Sequence, residues 1–252
     1  MKIIQVSDLH LVTPGEPLFG SDPLARLEDC IVDLNLHHSD ADLVVFSGDL
    51  TDNGEPAAYA ALGERLEALV PPFRLMLGNH DAREAFAAVF PEALGADGFA
   101  HSFADMDGMR IVLLDTLEPG RIEGRLCGAR LDWLDASLAD ADHALLFLHH
   151  PPCPIGVPAL DDTCLADAGR LMEVLRRHQN ARHIFAGHVH RLANGSWGGI
   201  PFSTLRGTNH QSALTFTGPH AVSFESPAYA VILASGGAVT VHPHEFPVRD
   251  WG

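Results

Sequence analysis

The sequence predicts one α/β domain spanning residues 1–252, in which strands and helices alternate along the chain. Two observations lead to this fold class. Short apolar runs that suit buried strands alternate with segments whose apolar residues recur at helical spacing. The chain is also long enough, and with 46% hydrophobic residues apolar enough, to bury one large core without disulfides or structural metals.

The first half of the chain contains three predicted strand–helix units. Strands are predicted at 3–6, 42–46 and 73–77, and helices begin near Asp22, Glu55 and Arg83. Asp22 followed by Pro23 is typical of a helix start, because Asp caps free amides and Pro suits the first turn. Pro71 and Pro72 end the second helix. This alternation indicates that the three strands are parallel.

The pattern changes after residue 100. Asp107-Gly108 separates two strand-like runs, which indicates a β-hairpin and antiparallel pairing. Ser235-Gly236-Gly237 predicts a second hairpin. Further helices are predicted around 131–138 and 168–175, strands at 102–106, 109–114, 144–148, 183–186, 197–203, 229–234 and 238–241, and long loops at 151–162 and 211–223.

Composition excludes several classes of function. The formal net charge of −17 repels phosphate backbones, which argues against extended nucleic-acid binding. The four cysteines, Cys30, Cys127, Cys153 and Cys164, have no C-x-x-C spacing and predict buried thiols in a reducing compartment. The apolar run at residues 1–6 is too short for the core of a secretion signal, and no apolar run approaches the length of a membrane span. We therefore expect a cytoplasmic protein that does not bind membranes.

Five predicted strands end in polar clusters. The clusters are Asp8-Leu9-His10, Gly48-Asp49, Gly78-Asn79-His80-Asp81, His149-His150 and Gly187-His188-Val189-His190. The C-terminal ends of parallel strands meet at one edge of an open α/β sheet, so we expect the clusters to converge there. Each cluster alone is also compatible with a structural role, such as Asp81 capping the next helix. Gly78 is expected to adopt a backbone conformation that side chains forbid.

The residue types in these clusters predict a metal site. Carboxylates, imidazoles and an amide form a mixed nitrogen and oxygen ligand set, which suits Mn, Fe(II), Co or Zn better than Ca or an iron–sulfur cluster. The number of candidate ligands exceeds the needs of one tetrahedral ion, so we expect two metal ions. The candidates are Asp8, His10, Asp49, Asn79, His149, His188 and His190.

In order and spacing, the clusters resemble the signature of the calcineurin-like metallophosphoesterases, and the resemblance covers most of the chain to about Gln211. The segments 48–55, 149–152 and 207–211 resemble the class III cyclic-nucleotide phosphodiesterases and, equally, the binuclear glycerophosphodiesterases. The resemblance implies a four-layer αββα sandwich, with two mixed β-sheets flanked by helices. It also implies that Asp8, His10 and His190 hold one metal, that Asn79, His149 and His188 hold the other, and that Asp49 bridges them.

Two adjacent metals can convert water into a hydroxide that attacks phosphorus at neutral pH. The two divalent ions would outweigh the two ligand carboxylates by two charges, which a phosphodiester and a hydroxide neutralise. We therefore expect hydrolysis of small phosphodiesters, either cyclic nucleotides or glycerophosphodiesters. Arg83, Arg191 and Arg206 are near the motifs in sequence. A phosphomonoesterase is therefore the alternative, and a non-catalytic scaffold on the same fold is a third hypothesis.

Roles outside the metal ligands rest on the same resemblance. His80, which is adjacent to Asn79, is expected to contact the phosphate or assist the leaving oxygen. Asp81 is expected to orient His80. His210 resembles a histidine on the substrate side of the glycerophosphodiesterases. We also expect a homodimer or higher homo-oligomer. Surface or structural roles are expected for His101, His143, His150, His178, His183, His220, His242 and His244.

Overall fold

The computed structural model describes residues 1–249. Its helices are α1 (Pro23–His38), α2 (Pro56–Leu66), α3 (Arg83–Val89), α4 (Gly128–Leu138), α5 (Pro158–Asp161) and α6 (Ala168–His178). Its strands are β1 (Lys2–Val6), β2 (Leu43–Ser47), β3 (Phe73–Met76), β4 (Ser102–Met106), β5 (Met109–Leu114), β6 (Ala144–Leu148), β7 (Ala181–Ala186), β8 (Ala193–Trp197), β9 (Ile200–Thr204), β10 (Gln211–Ser212), β11 (Val222–Ser223), β12 (Ala228–Ser235) and β13 (Ala238–Glu245).

Local sequence accounts for several of these boundaries. The Asp22 carboxylate accepts hydrogen bonds from the amides of Leu24 and Ala25, so it caps α1 as predicted. Asp107 and Gly108 both have positive φ, 48° and 75°, between β4 and β5. Positive φ at both central residues is the signature of a tight two-residue hairpin, and this prediction is confirmed.

Two large mixed sheets contain most of the strands. The first has the order β13-β12-β1-β2-β3, with β1, β2 and β3 parallel. The second has the order β4-β5-β6-β7-β9-β8, with β5, β6, β7 and β9 parallel. Strands β10 and β11 form a separate short pair.

The three largest of the four apolar clusters in residues 1–249 divide the molecule into four layers. One cluster packs the first three helices against the first sheet, with Leu27 and Val44 among its members. A second lies between the sheets and contains Val45 and Phe147. The third packs α4 and α6 against the second sheet, with Leu171 fully buried. The expected αββα sandwich is confirmed.

Four local predictions are wrong. The run 197–203 is two strands, because Gly198 and Gly199 both have positive φ and form a turn between β8 and β9. The loop 151–162 contains the short helix α5, and the loop 211–223 starts and ends in β10 and β11. Not all of the cysteine thiols are buried, since Cys127 is exposed at the start of α4.

No helix within residues 1–249 combines the length and the hydrophobicity that crossing a lipid bilayer requires.

Candidate metal centre

The five polar clusters meet at one edge of the packed sheets. Asp49 lies between the two groups, because its Oδ2 is 3.5 Å from His10 Nε2 and 3.2 Å from His149 Nε2. His10 Nε2 is 3.0 Å from His190 Nε2, and Asp8 Oδ1 is 3.6 Å from the same His190 atom. We expected the clusters to lie at the edge of a single open sheet. They instead come from the strand ends of both sheets.

The backbone at these positions is left-handed. Only eight non-glycine residues within 1–249 have positive φ, and five of them are candidate ligands. They are Asp8 (55°), His10 (47°), Asp49 (49°), His188 (69°) and His190 (46°). This conformation costs on the order of 1–3 kcal/mol per residue and is typical of functional sites. The Asp8-Leu9-His10 and His188-Val189-His190 motifs share one pattern. In each, two residues with positive φ flank a buried apolar residue.

One ring nitrogen of each candidate histidine ligand is held by a protein oxygen. Such outer hydrogen bonds fix the ring orientation and leave the other nitrogen free as a metal ligand. The bonds run from His10 Nδ1 to Asp52 Oδ1 (2.9 Å), from His149 Nδ1 to the Ser47 carbonyl (2.9 Å), from His188 Nε2 to Thr163 Oγ1 (2.9 Å) and from His190 Nδ1 to the His210 carbonyl (2.8 Å).

The inward-facing atoms form a donor set that suits a cation. Asp8 Oδ2 and Asn79 Oδ1 are buried without a hydrogen-bond partner, which is costly for polar atoms. Buried His149 Nε2 has the Asp49 carboxylate 3.2 Å away. The Nε2 atoms of His10 and His190 face each other although both rings donate their outer N–H. Two unprotonated nitrogens at 3.0 Å repel each other, so this contact requires either a proton between them or a nearby cation. The donor set therefore fits divalent metal ions.

The charge distribution is consistent with this cation site. Burial opposes ionisation of Asp49, but His149 and His10 hold the pKa of its carboxyl well below the usual range. Burial likewise opposes protonation of His149, but the Asp49 and Asp8 carboxylates raise the pKa of its imidazole to about 9. Burial lowers the pKa of His188 to about 3, with His149 adding to the effect. The Asp49 carboxylate therefore stays charged, and it attracts a cation.

Gly78 provides space for this arrangement. Its φ lies outside the left-handed region, so the predicted reason for glycine is wrong. A Cβ at this position would overlap Asp49 Oδ1 and would lie 2.6 Å from His149 Nε2. Contacts this short are not tolerated without movement of the neighbouring groups.

Replacing Gly78 with Ala should therefore displace Asp49 and His149 and lower metal affinity by about 10-fold or more, as lost support of ligands does elsewhere. Metal titration by calorimetry measures this effect. Gly169→Ala is the control, because a Cβ there meets nothing within 4 Å. Equal metal affinity in the two variants would show that residue 78 has room for a side chain.

Asp52, and not Asp81, is the carboxylate next to His80. The His80 ring is 41% exposed, and its Nδ1 donates to the Asp52 carbonyl at 2.7 Å. The Asp52 carboxylate lies 3.9 Å from the same nitrogen and also accepts from His10. Asp52 was not predicted as a site residue. Its position in Gly48-Asp49-Leu50-Thr51-Asp52, three residues after Asp49, could have indicated that it lies near the site.

The predicted position of Asp81 beside His80 is therefore wrong. Asp81 is buried and accepts hydrogen bonds from the Gly78, Leu50 and Thr51 amides and from the Tyr59 hydroxyl. Nor does it cap α3, whose first flanking residue is Ala82 without a side-chain cap. Asp81 instead joins the turn after β3 to the turn after β2.

His210 and His150 are both buried beside the cluster. The His210 ring lies 4.4 Å from the His190 ring and 5.0 Å from the His10 ring, measured between centroids. His150 has both nitrogens occupied, since Nε2 donates to the Ile122 carbonyl (3.0 Å) and Nδ1 accepts from Thr116 (2.8 Å). His150 therefore has no free nitrogen for a metal, in agreement with a structural role.

Comparison with known proteins identifies the family. Residues 1–192 match the family model described as calcineurin-like phosphoesterase. The chain belongs to this family. A divalent metal pair is typical of the family, and the Asp and His cluster described above lies within the matched residues.

Two relatives and one solved structure illustrate the similarity. A probable cyclic nucleotide phosphodiesterase of Rhodopseudomonas palustris is 39% identical and covers 98% of this chain and 93% of its own. A probable glycerophosphodiester phosphodiesterase of Arcobacter nitrofigilis is 33% identical over 85% of this chain and 81% of its own. The fold matches a dimetal phosphatase of Danio rerio with a TM-score of 0.72 at 18% identity, over 97% and 96% of the two chains.

The three arginines near the motifs of this calcineurin-like phosphoesterase are all ion-paired. Arg83 forms a bidentate pair with buried Asp115. Arg191 and Arg206 both bind Glu225. No arginine that sequence proximity suggested for a dianionic monoester is therefore unpaired.

Proposed function

We propose that the chain is a metal-dependent phosphodiesterase that hydrolyses small phosphodiesters, either cyclic nucleotides or glycerophosphodiesters. The observation that carries this proposal is the pair of donor groups that share the Asp49 carboxylate. Their inward-facing atoms include two buried oxygens without partners, Asp8 Oδ2 and Asn79 Oδ1. The relatives named as phosphodiesterases support the same reaction class.

We assign Asp8, His10 and His190 to one ion, Asn79, His149 and His188 to the second, and Asp49 to both. The ions are Mn, Fe, Co or Zn, which accept mixed nitrogen and oxygen ligands. When bound, such ions supply Lewis acidity and lower the pKa of water. The outer hydrogen bonds that the ligand rings donate to Asp52, Ser47, Thr163 and His210 keep these rings oriented.

His80 is the proposed contact to the reacting phosphate. Its ring is partly exposed, and its centroid lies 4.6 Å from that of His10, so it borders the metal site without being buried in it. Because Nδ1 donates to the Asp52 carbonyl, Nε2 is the atom available to the substrate. A protonated Nε2 can donate to a phosphate oxygen or to the leaving oxygen.

The preference for diesters follows from charge. With Arg83, Arg191 and Arg206 paired, the positive charge at the site would come from the metal ions. The two ligand carboxylates offset half of the charge of two divalent ions, and a monoanionic diester with a hydroxide offsets the rest. A dianionic monoester would leave an excess of negative charge.

The test is a comparison of bis-p-nitrophenyl phosphate with p-nitrophenyl phosphate, using protein loaded with manganese and analysed for metal content. We expect about two metal ions per chain and a diester kcat/KM at least about 10-fold above that of the monoester. Fewer than one metal per loaded chain, or no diester turnover, contradicts the proposal, and a preference for the monoester favours a phosphomonoesterase.

A single domain over 1–252, a cytoplasmic location and a homo-oligomer stay predictions.

A further inference from the structure

A tight turn next to the metal centre presents an aromatic side chain in an unfavourable conformation. Leu18 and Ser21 exchange two backbone hydrogen bonds, of 2.9 and 3.1 Å, around Phe19 and Gly20. Phe19 has a φ of 49° and Gly20 of 80°. Turns with two such central residues favour Asn, Asp or Gly at the first of them. For a bulky aromatic residue a positive φ is an outlier, so folding alone does not account for Phe19.

The turn is attached to the edge of the metal centre. The Ser21 hydroxyl hydrogen-bonds the Asn209 side-chain oxygen, next to His210. The Phe19 ring lies 4.5 Å from the His210 ring between centroids, at an angle of 49°. His210 in turn contacts the rings of His190 and His10. Phe19 therefore extends the row of rings outward from the candidate metal ligands.

About half of Phe19 faces solvent, with 51% of its surface exposed. The β10–β11 pair begins beside the same site, because the Ser212 amide donates to the His190 carbonyl at 3.2 Å. The segment between its two strands carries exposed Leu214 and Phe216, at 56% and 66%. Apolar side chains are thus exposed on two segments that border the metal centre.

We propose that Phe19 is a stacking surface for the nucleobase of the substrate, which makes a cyclic nucleotide the preferred phosphodiester. This inference rests on the proposed function. A base stacks on an aromatic side chain through its flat face, whichever base it is, and the stacking changes binding on the order of 10- to 100-fold. A glycerophosphodiester has no flat apolar face and gains little from the same ring.

Three variants separate stacking from folding. Phe19→Asn removes the ring and introduces a residue that the turn favours, so we expect an unchanged or higher melting temperature. Phe19→Tyr keeps a ring of the same shape. Phe103→Ala is the matched control, because Phe103 is exposed to a similar extent, 46%, on strand β4.

The activity readout compares two diesters, 3′,5′-cyclic AMP and glycerophosphoethanolamine. In Phe19→Asn we expect kcat/KM for cyclic AMP to fall about 10-fold or more, mainly through KM, while that for glycerophosphoethanolamine changes less than about 2-fold. Phe19→Tyr and Phe103→Ala should both stay within about 3-fold of the wild type for cyclic AMP.

A binding readout stands apart from turnover. Calorimetry with manganese-loaded protein compares AMP with inorganic phosphate, which lacks a base. We expect Phe19→Asn to weaken AMP about 10-fold and to leave phosphate unchanged.

Equal changes for both diesters, or for both AMP and phosphate, overturn the stacking role and leave the phosphodiesterase proposal intact. If the wild type turns over neither diester, the proposed function is refuted instead. The AMP comparison then decides on Phe19 alone.

Discussion

Replacing Asp49 with Asn is expected to reduce diester turnover at least about 100-fold, beyond the 10- to 100-fold typical of residues that only support a metal ligand. Asp49 Oδ2 is the atom that approaches both His10 and His149, so its charge serves both groups of donors. The amide keeps the size of the side chain but removes the negative charge. Metal analysis should give at most about one ion per chain.

Asp142→Asn is the control for this change. Asp142 is exposed and precedes β6 at the end opposite His149. Circular dichroism establishes whether each variant is folded. Full activity and two ions per chain in folded Asp49→Asn would show that the carboxylate does not bridge the ions.

The neighbouring residues Asn79 and His80 should give different kinds of loss. Asn79 Oδ1 is buried and unpartnered, so Asn79→Ala should lower metal content to about one ion per chain and regain part of its activity in excess metal. The His80 ring is partly exposed, and its Nδ1 donates to the Asp52 carbonyl. His80→Ala keeps the backbone amide that donates to Asp49, so it should keep two ions and lose about 100-fold in kcat.

Metal analysis beside kcat at saturating manganese distinguishes the two residues. Loss of metal in His80→Ala to the same extent as in Asn79→Ala would make His80 a ligand and remove its assigned contact to phosphate. His178→Ala, on the distant end of α6, controls for the loss of an imidazole as such.

Sequence patterns predicted the elements that depend on neighbouring residues. The turn at Asp107-Gly108 and the cap at Asp22 were predictable because the residues themselves determine the local conformation. The strand ends that carry the candidate ligands were predictable for the same reason. The helix that starts at Pro158 lies inside a predicted loop. It was not predicted because four residues give too little periodicity to detect.

Long-range contacts could not be predicted in this way. The pairing of His188 with Thr163 joins residues 25 apart, and no local pattern at Thr163 indicates it. The division of five strand ends between two sheets depends on how the sheets pack, which the order of elements leaves open. The role of Asp81 was mispredicted because its partners, Leu50 and Thr51, lie on the preceding strand end.

The origin of the site in two sheets has a consequence for the whole molecule. Asp8, Asp49 and Asn79 follow strands of the first sheet, whereas His149 and His188 follow strands of the second. Metal ions held by both sets would cross-link the two sheets. Mass action then couples cofactor supply to unfolding, since a ligand at 100 times its Kd adds about 2.7 kcal/mol to the folded state. The amount of intact protein in a cell would therefore follow the availability of free metal.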